Sequence, residues 1–136
     1  TLLSYFATDV GADAAVVLAG SKAAREFFEP IFSERDREIT LVGFCDGRLR
    51  LVQLLSFPGA TDSCPVSLRE IALHATDCAG IIVAHNHPSG NSQPSRSDLN
   101  LTRRLCVVAE ALGVELLDHL IFAGGSMTSF RQMGLL

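Results

Sequence analysis

The stretch HNHPSGNSQPSRSD, residues 85–98, follows an apolar run, GIIVA at 80–84, and runs into a helical pattern. It reads as a strand that delivers two imidazoles, a tight polar loop, and a helix N-terminus that delivers a carboxylate. Alternate side chains of a strand share a face, so His85 and His87 are expected on the face of Ile81 and Val83. Pro88 cannot donate to a ladder, and the strand should stop there. Ser95 is placed as an N-cap, and Ser95-x-x-Asp98 as a capping box with Asp in place of Glu. Capping alone would account for both residues. The helix pattern asks more of the carboxylate, because Asp98, Leu101, Leu105, Val108 and Leu112 fall on one stripe, and that stripe is apolar. A carboxylate at the inner edge of a buried face needs a charged partner or a metal. Two histidines from a strand end and one aspartate make three N/O ligands. Three protein ligands with the fourth position open to water is the catalytic zinc arrangement.

The spacing His85-x-His87-Pro88, six residues, Ser95-x-x-Asp98 is similar to the signature of the JAMM/MPN+ metallopeptidases. More closely, HNHPSGNSQPSRSDLNLTRRL resembles the RadC family of bacterial JAMM-domain proteins. The similarity continues through SLREIALHA and REITLVGF upstream, and through LLDHLIF at 116–122 and SFRQMGLL at 129–136 downstream. It spans roughly residue 36 to the C-terminus. The expected organisation is therefore an N-terminal helical segment, 1–35, packed on a RadC-like JAMM/MPN+ domain, 36–136. The resemblance implies a JAMM fold, a curved mixed β-sheet packed with helices and related in architecture to the cytidine deaminases. The pattern of elements alone says α/β or α+β. RadC-like proteins carry an N-terminal helix-hairpin-helix region. The sequence opens at Thr1 rather than Met, and a truncated chain is expected.

The same resemblance implies Zn²⁺ as cofactor, held by His85, His87 and Asp98, and a further carboxylate that is no ligand but acts on water at the metal. In the resembling families that glutamate comes from upstream, at the entry to an apolar strand. Glu38, before ITLVGFC, matches best. Glu70 is the runner-up, although an acid early in a helix is commonplace for dipole reasons, and Glu34 is a weaker third. Ser95 matches the serine that hydrogen-bonds the developing oxyanion, a role compatible with its place as N-cap. The implied reaction is hydrolysis of a peptide or isopeptide bond.

Composition sets the outer bounds. The 136 residues, 48% hydrophobic and 19% charged, suffice for one domain with a real core. No apolar stretch is long enough to span a membrane and no signal peptide is visible, which leads to a cytoplasmic expectation. Cys45, Cys64, Cys78 and Cys106 show no CxxC spacing and are expected as buried thiols in a reducing compartment. A net charge of −4 does not support nonspecific nucleic-acid binding. The expected partner is a peptide or protein substrate.

Along the chain, DVGADAAVVLAG (9–20) and SKAAREFFEPIF (21–32) read as two helices. ITLVGFC is a strand, turned by Asp46-Gly47 into a return strand, RLRLVQLLSF. Residues 57–67 read as a loop with a short edge strand. Ser67 and Glu70 form a second capping box and open a helix to about Asp77. Strand 80–87, helix 96–112 ended by Gly113, strand 114–122 and a short terminal strand after Gly124-Gly125 complete the order. His119 is expected on the face of Leu117 and Ile121 as a hydrogen-bonded core histidine.

Other HxH chemistries fit less well. A deaminase needs H-x-E and PCxxC. HxHxDH fails at Ser89 and Gly90, and a cupin lacks its following Glu. The adjacent letters HNH do not make the nuclease motif of that name, which is spread over a ββα unit. Two non-hydrolytic alternatives stand beside the peptidase: a JAMM-fold interaction module, and an accessory protein in DNA repair or recombination.

Overall fold

The computed structural model describes the backbone of residues 6–9 and all of residues 16–59 and 66–136. Its elements in order are β1 (Phe6–Asp9), α1 (Ser21–Phe32), β2 (Ile39–Cys45), β3 (Leu51–Pro58), α2 (Leu68–His74), β4 (Gly80–Asn86), α3 (Arg96–Leu112), β5 (Glu115–Ala123) and β6 (Ser126–Ser129). The strands form one mixed sheet in the order β1-β3-β2-β4-β5-β6. Its one parallel pair is β4–β5, joined through α3; the other neighbours run antiparallel. This is the mixed α/β architecture expected.

β2 and β4 are buried along their whole length, so both sheet faces carry apolar side chains. On one face Leu41, Ile82, Ala84, Leu120 and Phe122 pack against Ala24, Phe28 and Phe32 of α1. On the other, Val42, Phe44, Ile81 and Val83 pack against Ile71 of α2 and Leu105 and Ala109 of α3. Burying each large apolar side chain contributes about 1.5–3 kcal/mol, and these two layers hold the sheet centre rigid beneath the site.

Several expectations are corrected. Residues 16–20 are not helical: Val17 bridges Arg50, Leu18 N–H donates to the Leu49 carbonyl and Leu51 N–H to that of Val16. Two adjacent valines favour an extended chain, and the start of β3 offers backbone groups to pair. Asp9 ends a strand; positions 10–15 of the expected helix lie outside the described residues, as does most of the expected edge strand between 57 and 67. The Asp46-Gly47 hairpin forms, but the left-handed residue is Leu49, φ 63°, not Gly47. Asp46 holds that turn by accepting from Arg48 N–H and Arg50 N–H. α2 stops at His74, short of Asp77. On α3 the buried residues are Asp98, Thr102, Leu105 and Ala109, whereas Leu112 is exposed.

Candidate metal centre

Three registers assemble the site. Thr40 of β2 pairs with His85 of β4 in an antiparallel ladder. Continuing that register two residues past the Thr40–His85 pair, one residue beyond the end of each strand, sets Glu38 opposite His87, on the face occupied by α2 and α3. α3 begins at the same sheet end, and its capping box forms as expected. Ser95 Oγ accepts from Asp98 N–H at 3.1 Å, and Asp98 Oδ2 accepts from Ser95 N–H at 2.8 Å.

His85 Nε2 and His87 Nε2 lie 3.0 Å apart. Asp98 Oδ1 is 3.2 Å from His85 Nε2, and Oδ2 is 3.1 Å from His87 Nε2. Glu38 stands further off, Oε1 4.0 Å from His87 Nε2. Glu38, His85 and His87 offer donor atoms within 4.8 Å of one another, a group able to hold a metal ion; the Asp98 carboxylate lies closer to both imidazoles than Glu38 lies to His87.

The hydrogen bonds around the triangle fix where its protons lie. A carbonyl can only accept, so His87 Nδ1–H donates to the Asn91 carbonyl at 2.7 Å. A neutral His87 then turns a lone pair inward. Thr102 Oγ1 has one proton, and the Asp98 carbonyl takes it at 2.9 Å. His119 Nδ1, 2.7 Å from Thr102 Oγ1, must therefore donate. Burial pushes His119 down to about 3, so it is neutral and its Nε2 accepts. His85 Nδ1, 2.9 Å away, donates to it. His85 Nε2 is left bearing a lone pair that faces a second lone pair and a carboxylate. Such a cluster calls for a positive charge at its middle. Either a proton on His87 supplies it, in keeping with the upward push on His87 from Asp98, or a metal ion does. Burial would raise the Asp98 carboxyl, yet the adjoining His85 and His87 imidazoles and the Ser95 N–H outweigh this and hold it well below the usual range. Tetrahedral zinc with bonds near 2.0–2.1 Å spaces its ligands about 3.3 Å apart, close to the edges of this triangle. The donor set fits such an ion.

The triangle lines a cleft of about 670 Å³ whose walls include Glu38, Thr40, Ser95, Asn100, Leu101 and Arg104. Ser95 is exposed there, its Oγ 3.0 Å from that of Ser97. Glu70, the alternative carboxylate, does not line this cleft; its backbone caps and extends α2. Glu34 is exposed in the turn after α1.

Thr102 and the middle residue Asn86 hold the candidate site through hydrogen bonds that the motif does not announce. Asn86 Oδ1 accepts from Ile39 N–H at 2.8 Å and its Nδ2 donates to the Arg37 carbonyl at 2.9 Å, clamping the backbone on both sides of Glu38. Thr102 stands four residues after Asp98 on a buried stripe, where a polar residue is itself a signal. His119 is fully buried and hydrogen-bonded, as expected, but it does not share a face with Leu117. A bulge in β5 falls between the pairs Ile81↔Leu116 and Ile82↔Asp118. It sends Leu117 to the α1 side and turns His119 toward His85.

A mixed sheet carrying two strand-end histidines and a helix-borne aspartate defines a JAB-type domain, and the family model for the RadC-like JAB domain matches residues 18–135. The chain belongs to the RadC-like JAB domain family. UPF0758 proteins from two strains of Acidithiobacillus ferrooxidans are each 40% identical to it over 113 residues, 81% of this chain and 50% of theirs. The chain thus spans about half the length of these curated relatives.

Proposed function

We propose that this domain is a zinc-dependent metallohydrolase of JAMM type, cleaving peptide or isopeptide bonds in a peptide or protein substrate. The observation that carries the proposal is the convergence of His85 Nε2, His87 Nε2 and the Asp98 carboxylate to 3.0–3.2 Å at the wall of an open cleft. His85, His87 and Asp98 would hold the ion. Zinc bound there supplies Lewis acidity and lowers the pKa of water at the open position to about 7.

The remaining steps belong to the chain. Glu38, with Oε1 4.0 Å from His87 Nε2, stands farther from that imidazole than Asp98 does at 3.1 Å, and is left to act on water rather than to hold the ion. Its carboxylate takes the proton of the attacking water and passes it to the leaving amine. Ser95 already accepts from Asp98 N–H through a lone pair, which leaves its own proton to donate to the developing oxyanion. A cytoplasmic setting accords with Cys45, Cys78 and Cys106 being free thiols; among the described residues no helix is long and apolar enough to cross a membrane.

The first test is elemental analysis of the native chain and of His85→Ala. About one zinc per chain, lost in the variant, supports the ligand set. No zinc after incubation with the metal at neutral pH overturns it. Peptide hydrolysis that disappears in Glu38→Gln with zinc retained supports the base; hydrolysis that persists removes Glu38 from that role.

A further inference from the structure

Asp98 and His85 are joined by a second route, behind the cleft. It starts at the Asp98 backbone carbonyl, passes through the Thr102 hydroxyl and both nitrogens of His119, and ends at His85 Nδ1, with contacts of 2.9, 2.7 and 2.9 Å. Thr102 is 3% exposed and His119 not at all, so neither can touch a substrate. His119 is stacked on Phe130, ring centroids 4.4 Å apart, which fixes its plane. Its backbone is held too, because Asp118 Oδ1 accepts from His119 N–H at 2.8 Å. The β5 bulge aims the ring. Each contact has one proton, and with His119 neutral, as its complete burial favours, only one assignment makes all three of them hydrogen bonds: Thr102 to the carbonyl, His119 Nδ1–H to Thr102, His85 Nδ1–H to His119 Nε2.

We propose that His119, oriented by Thr102, is a positioning residue that locks His85 as its Nδ1–H tautomer and so aims the His85 Nε2 lone pair at the metal. Without this acceptor, His85 would put its proton on Nε2, where Asp98 Oδ1 at 3.2 Å receives it and the ligand is blocked. Partners of this kind behind a metal-bound histidine change metal affinity by roughly 10–100-fold. The inference rests on the metal site proposed above for its effect on affinity, but the tautomer itself is a property of the metal-free chain.

The test is long-range ¹H–¹⁵N NMR of the histidine rings in the metal-free protein, together with zinc titration. The native chain should show His85 protonated on Nδ1. Thr102→Val removes one hydroxyl at constant shape and should give a mixture of His85 tautomers, with zinc affinity about tenfold weaker. Thr102→Ser should restore both readings. His119→Phe keeps the stack on Phe130 and should shift the proton to Nε2. A native His85 carrying its proton on Nε2 overturns the proposal with no variant needed. So does unchanged zinc affinity in folded Thr102→Val and His119→Phe. If the native chain takes up no zinc, the metal-site reading falls, while the native tautomer still decides the relay.

Discussion

Asn86 accepts a hydrogen bond from the Ile39 backbone N–H at 2.8 Å, and the same carboxamide donates to Arg37 two residues earlier. The residue between the two histidines thus grips the backbone either side of Glu38. The strand that carries the two histidines and the strand that Glu38 precedes are fastened together at the candidate site. Gly59 completes the grip: its N–H donates to the Glu38 carbonyl at 2.8 Å, and a Cβ there would come within 2.7 Å of that oxygen.

Asn86→Ala should therefore lower hydrolysis while leaving zinc stoichiometry at the native value. It also leaves a buried N–H and a carbonyl without their partner, at about 1–3 kcal/mol for such a group. Urea denaturation checks the stability loss, and elemental analysis with a peptide assay checks the split. A variant that loses zinc as well would place Asn86 with the ligands instead.

Among the described residues Asp98 and Glu38 are the two carboxylates near the imidazoles, and they should separate cleanly. Asp98→Asn is expected to weaken zinc binding by more than the roughly 10–100-fold typical of residues behind the ligands. Glu38→Gln should leave affinity within a few-fold of native. Competition titration against a zinc chelator measures both. The reverse order would assign the third ligand to Glu38.

Zinc that binds the folded state alone stabilises it by about 2.7 kcal/mol when free metal is 100 times the Kd. For a domain of this size that corresponds to a rise in Tm of roughly 10 °C. The rise should be absent in His85→Ala and after chelation. Differential scanning calorimetry with and without zinc reads it directly.

Cys45 is fully buried, and burial, reinforced by neighbouring Cys78 and Asp46, pushes its thiol up to about 12 from 9.0. The folded state thus favours the neutral thiol. Its contribution to stability is complete below about pH 9 and is lost as pH rises from there toward 12. At pH 8, alkylation followed by mass spectrometry should leave Cys45 unmodified in the folded protein and modify it on unfolding. Labelling of native Cys45 at the rate of an exposed thiol would contradict this.

The candidate site was legible where its logic is local. Alternation along GIIVAHNH put His85 on the face of Val83, and Ser95 with Asp98 announced both a cap and an inward carboxylate. The clamp that Asn86 makes on residues 37–39 was not legible, because its partners are 47 and 49 positions away. The stretch 16–20 misled for a related reason. Its composition allows a helix, and the unpaired backbone at the start of β3 decides otherwise.

By itself, the sequence determined the elements whose signals repeat within a few residues: β2, β4, α3 with its cap, and the histidine pair at a strand end. It determined which donor types the candidate site offers, since imidazole and carboxylate chemistry is written in the residues. Tertiary structure alone decided that Thr40 pairs with His85, which sets Glu38 beside His87. It alone decided that β5 bulges at Leu117, which turns His119 toward the site. Strand register and bulges are chosen by the packing of both sheet faces at once. A one-residue slip sends every side chain to the opposite face, and no local window of sequence holds the information that selects between the two.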